Sequence, residues 1–124
     1  MTDIHCHILP AFDDGSASLE ESLEMARMAE ATGVTAIVST PHFPGRPDFL
    51  QHLPVVLEKF HILRDAIARE GIALKLLPGA EILCLPETPQ MARQRVLPTI
   101  GSTDYLLAEF YFDETAAYMT DMLL

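Results

Sequence analysis

Residues 34–40 read VTAIVST and run directly into Pro41-His42. This is a short, apolar, β-branched run of the kind found in strands buried on both faces of a parallel sheet. Its surroundings decide how the chain is built. Upstream, Gly33 is placed to cap a helix that begins at the capping box Ser18-x-x-Glu21 and carries the stripe Leu19, Leu23, Ala26. Before that helix, residues 2–8 alternate, with Asp3, His5 and His7 on one face and Ile4, Cys6 and Ile8 on the other. The loop PAFDDG, ending at Gly15, joins the two.

Downstream, FPGRPDF (43–49) is a turn-rich loop. Pro54 suits the first turn of a second helix, whose expected buried face is Leu53, Val56, Leu57, Phe60, Leu63 and Ile67, with Gly71 as its stop. A third strand is expected over 72–77 (IALKLL), followed by Pro78-Gly79-Ala80-Glu81, and a short helix around 87–95. DYLLAEF (104–110) reads as a fourth strand, and an amphipathic stretch from Glu114 carries Tyr118, Met119, Met122 and Leu123.

Strand and helix thus alternate four times, which argues for an α/β fold with parallel strands and covering helices. Such units fit either half of a closed (β/α) barrel or a small open sheet. The break-off inside the last helix favours a single domain, 1–124, that is part of a larger one. With 49% hydrophobic and 21% charged residues, the chain is globular in composition. A formal charge of −10 disfavours general nucleic-acid binding. There is neither an apolar run long enough to span a bilayer nor a signal-peptide pattern at the start, so a cytoplasmic location is expected. Cys6 and Cys84 form no CxxC and are read as reduced, buried thiols.

The chemistry concentrates at the predicted strand ends. On a strand, His5 and His7 share a face and can reach one metal ion; the bland alternative is a polar face in water. His42 lies just past strand two, Glu81 just past strand three, and Glu109 near the end of strand four. Sites in parallel α/β folds form at such carboxyl ends. Asp13 and Asp14 belong to the same rim. His42 and Glu81 have ordinary loop roles as alternatives, but Glu109 interrupts an apolar strand and needs a counter-charge, from a metal or an arginine. Arg46 is a candidate phosphate contact, though a lone loop arginine is usually just solvated. No Cys-x5-Arg loop exists, which argues against a cysteine phosphatase. His52 and His61 read as surface or groove residues, and Tyr105, Tyr111 and Tyr118 as packing residues.

Four blocks, DIHCHILPAFDDG (3–15), STPH (39–42), GAEI (79–82) and DYLLAEF (104–110), resemble in order the manganese-dependent tyrosine phosphatases of bacterial capsule and exopolysaccharide loci, the CpsB/CapC/YwqE group of the PHP superfamily. The resemblance implies about half of a distorted TIM-like barrel. It implies up to three ions (Mn2+, with Fe or Zn as alternatives). His5 and His7 would hold one metal, Glu81 would bridge two, Glu109 would bind the second, and Asp14 and His42 would serve the third. Asp14 is preferred over Asp13 because it directly precedes the glycine. The implied activity is attack of hydroxide on phosphotyrosine in a protein, such as a tyrosine-kinase tail. The group's His-Pro-Glu-Arg block and later Asp-x-His pair do not occur here, so the chain is expected to be the N-terminal half, and its open strand edges invite self-association. The alternatives are a truncated non-catalytic fragment and another PHP phosphoesterase, such as a histidinol-phosphatase-like enzyme.

Overall fold

The computed structural model describes residues 1–123. Its elements are β1 (Thr2–Cys6), α1 (Leu19–Ala31), β2 (Ala36–Ser39), β3 (His42–Pro44), a 3-10 turn (Pro47–His52), α2 (Leu53–Arg69), β4 (Lys75–Pro78), β5 (Glu81–Leu83), α3 (Thr88–Arg93), β6 (Leu107–Glu109) and α4 (Ala116–Leu123). This is a mixed α/β chain in which every strand pairing is parallel.

The expected long strands are each broken. The strands form two three-stranded sheets, β1-β2-β4 and β3-β5-β6. The second strand stops at Ser39 and resumes at His42; the third stops at Pro78 and resumes at Glu81. Proline cannot donate to a ladder, and Pro41 and Pro78 stand at these two interruptions. The breaks are bridged rather than open. Thr40 N–H donates to the Cys6 carbonyl at 2.9 Å and Glu81 N–H to the Pro41 carbonyl at 2.9 Å. Gly79 packs into the step, where an added Cβ would come within 2.7 Å of Val38 Cγ1. The fourth strand is shorter than expected and covers only Leu107–Glu109.

Helices α1 and α2 cover one face of the first sheet. Leu23, Ala26, Val56, Phe60, Leu63 and Ile67 pack with Ile8, Leu9, Ile37 and Leu76 in a single cluster. Each of the larger side chains, Ala26 excepted, contributes about 1.5–3 kcal/mol on burial. A smaller cluster of Phe43, Ala80, Ile82, Met91 and Leu97 fixes the second sheet against α3. The expected helix signals are used: Ser18 Oγ accepts from Glu21 N–H at 3.1 Å, Pro54 occupies the first turn of α2, and Gly33 and Gly71 take positive φ after their helices.

Some expected core positions differ. Leu57 sits one step off the buried stripe of α2 and is 48% exposed. Ile4 is 52% exposed because β1 is an edge strand and this end of it lies outside the apolar cluster. Tyr105 and Tyr111 were expected to pack, yet both are exposed, since they flank the three-residue β6 instead of lying within a longer strand.

Candidate metal centre

The interruption between the two sheets is where the candidate ligands meet. β1 delivers His5, and His7 follows immediately after it. His42 opens β3, and the register pairs it with Glu81, which opens β5. Glu109 ends β6, paired two residues further along β5 with Leu83. Breaking each strand turns its backbone and sends the first side chain of the second segment into the gap.

Glu81 is the centre of the arrangement. Its Oε2 lies 2.8 Å from His7 Nε2, 3.1 Å from His5 Nε2 and 3.6 Å from His42 Nδ1. That oxygen is buried and still makes no aligned hydrogen bond. Three nitrogens are close, but none points its N–H along the line to the oxygen. Such a buried carboxylate oxygen is costly unless something else compensates it. Nitrogens and oxygens that crowd together without bonding one another fit a donor set converging on a cation. Ligand atoms within 4.8 Å of one another fall into three groups: His5, His7, Glu81; His42, Glu81, Glu109; and His7, Asp13, Asp14, His42. Imidazole plus carboxylate suits Mn, Fe and Zn.

His42 reaches both sides of the gap. Its Nδ1 is 3.4 Å from Glu109 Oε2 and its Nε2 is 3.1 Å from Asp14 Oδ1. The structure thus brings together His5, His7, Asp14, His42, Glu81 and Glu109. Arg46 is not among them. It lies on the loop before the 3-10 turn, half exposed, with its Nε 3.1 Å from Asp48 Oδ1.

Asp13 has a role that the sequence reading did not assign. Its Oδ2 accepts from His42 N–H at 3.0 Å and stands 2.9 Å from His7 Nδ1, while its Oδ1 accepts from Gly15 N–H at 3.0 Å. An ionised acceptor here requires Nδ1 to carry the hydrogen, which leaves His7 Nε2 as the free lone pair on the Glu81 side. Carboxylates that hold a ligating histidine in this way are the usual outer partners of metal sites. Burial opposes charge on His7, but the hydrogen bond to Asp13 and the charges of Asp13 and Glu81 outweigh it and raise the imidazole above its ordinary value. Burial likewise opposes ionisation of Asp13, but its bonds to His7, His42 and Gly15 hold it below the usual carboxylate range. The side chain of Asp14, by contrast, is 78% exposed and meets only His42 Nε2, at 3.1 Å, among the candidate ligands. The local signal for Asp13 was present: an aspartate two residues before a glycine favours a side-chain turn onto that glycine's N–H.

Gly15 closes the loop. A Cβ there would stand 2.1 Å from the His7 carbonyl oxygen and 2.5 Å from His7 Cβ. Behind it, Ser16 N–H donates to the His7 carbonyl at 3.1 Å, and the Ser16 and Ser22 hydroxyls are bonded at 2.6 Å. Cys6 faces the core side, and burial followed by the charge of Asp3 pushes its thiol up to about 11, far from a nucleophilic thiolate.

A family model described as "Capsular polysaccharide synthesis, CpsB/CapC" matches residues 1–124. The chain is 40% identical over 118 residues to tyrosine-protein phosphatase YwqE of Bacillus subtilis, covering 95% of this chain and 46% of the relative. It is 31% identical over 112 residues to tyrosine-protein phosphatase CpsB of Streptococcus agalactiae, covering 89% of this chain and 45% of the relative. A chain from crystal structures of YwqE from Bacillus subtilis and CpsB from Streptococcus pneumoniae, described as metal-dependent tyrosine phosphatases, superposes with a TM-score of 0.84 at 39% identity. That match covers 98% of this chain and 49% of the other. The chain spans about half the length of the curated relatives it matches. With the family model matching from end to end, the chain belongs to the CpsB/CapC family of capsular polysaccharide synthesis.

Proposed function

We propose that this chain provides the metal-binding part of a protein-tyrosine phosphatase. In this reading residues 1–124 form one partial domain, about half of a PHP-type, TIM-like barrel, and the ions are manganese. The observation that carries it is Glu81 Oε2: a buried carboxylate oxygen ringed by three imidazoles, with no hydrogen bond of its own. His5, His7 and Glu81 would hold one cation, Glu81 with His42 and Glu109 a second, and Asp14 with His42 a third. The first two sets offer three side chains each and the third two, with His7 and Asp13 nearby, fewer ligands than an octahedral Mn2+ takes. The rest must come from water, substrate or further protein. Bound cations would make a nucleophile of water at neutral pH and neutralise the phosphoryl oxygens.

The protein's own part is placement. Asp13 keeps His7 in one tautomer and, through the His42 N–H, ties β3 to the loop after β1. The apolar cluster around Phe43 and Ile82 holds the backbone on which His42 and Glu81 stand. A net charge of −10 would repel a phosphate ester, so the positive charge that receives it must be supplied at the centre. The substrate is proposed to be phosphotyrosine on a protein, such as the tyrosine-rich tail of a kinase. The test uses full-length, metal-loaded protein and a phosphotyrosine peptide. Phosphate release should stop on chelation and return with Mn2+. Release that persists undiminished in chelator would refute the proposal.

A further inference from the structure

We infer that a bulge in β1, held by the hydroxyl of Thr40, sets where His5 and His7 stand, which makes Thr40 a positioning residue for the metal centre. The inference rests on reading the cluster around Glu81 as a metal site.

The bulge is visible in the register. Asp3 pairs with Ile37 and Cys6 with Ser39, so β1 advances three residues where β2 advances two. The extra residue falls between Asp3 and Cys6, the stretch that carries His5. A bulge disrupts the ladder locally and re-aims the side chains beside it. Two consecutive N–H groups of β1 are accordingly taken up by side chains. His5 N–H donates to Asp3 Oδ1 at 3.0 Å, and Cys6 N–H donates to Thr40 Oγ1 at 2.8 Å.

Thr40 holds Cys6 at both ends. Its hydroxyl also donates to the Cys6 carbonyl at 3.3 Å, and its own N–H donates to that carbonyl at 2.9 Å. Cys6 is the residue between the two imidazoles. Thr40 is fully buried, so its bonds form in a low-dielectric setting where an unpaired group is costly. Thr40 also leads directly into Pro41-His42, and the Pro41 carbonyl accepts from Glu81 N–H at 2.9 Å. One side chain thus fixes β1 against the segment that bears His42 and, through Pro41, against Glu81. His5 and His7 approach the same Glu81 oxygen, at 3.1 and 2.8 Å. A metal site needs such groups held to within about 0.5 Å. The hydroxyl acts through the backbone that bears the ligands, not on a ligand atom.

The experiment titrates Mn2+ calorimetrically into metal-free, full-length protein and records urea midpoints of the same metal-free samples. Thr40→Val keeps the side chain's shape and loses the hydroxyl. Thr40→Ser keeps the hydroxyl and loses a buried methyl group. Both should unfold at lower urea than the parent. Only Thr40→Val should also weaken Mn2+ binding, by about tenfold, the low end of the loss for groups that orient metal ligands, while Thr40→Ser stays within about twofold of the parent. Parental affinity in Thr40→Val, or an equal loss in both variants, would reduce Thr40 to a packing residue and overturn the inference. If Thr40→Val does not fold, the other side-chain bond of the bulge decides. Asp3→Ala removes the acceptor of His5 N–H and should weaken Mn2+ binding by a smaller factor, whereas Asp3→Asn keeps an acceptor there and should recover most of the affinity. No loss in Asp3→Ala, or the same loss in Asp3→Asn, would overturn the bulge's role while leaving the metal centre standing. A parent that binds no Mn2+ would overturn the metal-centre reading and the inference with it.

Discussion

Glu81→Ala should reduce phosphotyrosine turnover of the full-length, metal-loaded protein by roughly 10²–10³-fold, the loss seen when one group stabilising transition-state charge is removed, while leaving the metal-free fold about as stable as before. The two halves of this expectation have one origin. Glu81 Oε2 is buried beside three imidazoles and makes no aligned hydrogen bond. Without a cation it is a polar group taken from water and poorly compensated, so its removal costs the metal-free protein little. With a cation it is shared by two of the three ligand groups. The stabilisation that Mn2+ adds to the parent, which grows with ligand concentration over Kd, should therefore shrink sharply in the variant. Urea midpoints with and without Mn2+ give both numbers. His7→Ala makes a useful contrast. It should also lose turnover, but it leaves Asp13 without its side-chain partner and should lower the metal-free stability as well, by about 1–3 kcal/mol. If Glu81→Ala weakened the metal-free protein as much as His7→Ala does, Glu81 would be a structural residue and not a ligand.

Gly15→Ala should damage the site from behind. Its new methyl group would need the space of the His7 carbonyl oxygen, at 2.1 Å, and of His7 Cβ, at 2.5 Å. The first of these atoms is backbone and cannot swing aside, so the loop from His7 to Ser16 must shift as a unit. Overpacking of this kind costs about 1–3 kcal/mol. The shift also moves the imidazole that Asp13 orients and disturbs the bond by which Ser16 N–H holds the His7 carbonyl. Both stability and Mn2+ affinity should fall, and titration calorimetry with urea melts would show it. Asp13→Asn separates the two effects. It is similar in size, but its one amide oxygen can keep only one of the two backbone N–H bonds, from Gly15 or from His42, so the fold should persist at a cost of about 1 kcal/mol while metal affinity drops about 10–100-fold, as for carboxylates behind metal-bound histidines. Unchanged affinity in Asp13→Asn would show that the His7 tautomer is set by something else.

Much of this was legible in the residues. VTAIVST announced a buried parallel strand, and the caps at Ser18, Gly33 and Gly71 bounded the helices because backbone chemistry at helix ends is local. The side chains that meet around Glu81 could be named because parallel strands deliver their ends to one rim. What the pattern hid were the breaks at Pro41 and Pro78. A strand that stops and resumes keeps its apolar alternation on both sides, so periodicity does not reveal it; only the missing proline N–H hints at it. Asp13 and Asp14 show a second limit. Adjacent and chemically identical, they are told apart by which one the loop turns inward, and that depends on contacts with His7 and His42 that are distant in sequence. Tyr105 and Tyr111 mark a third, since β6 is too short to bury them.

The most direct measurement is anomalous diffraction at the manganese edge from crystals of the full-length protein grown with Mn2+. The expected result is two or more peaks in the gap between the sheets, one bonded to His5, His7 and Glu81 and another to Glu81, His42 and Glu109. Manganese bound elsewhere, with that gap empty and the imidazoles hydrogen-bonded only to one another's carboxylates, would contradict the account.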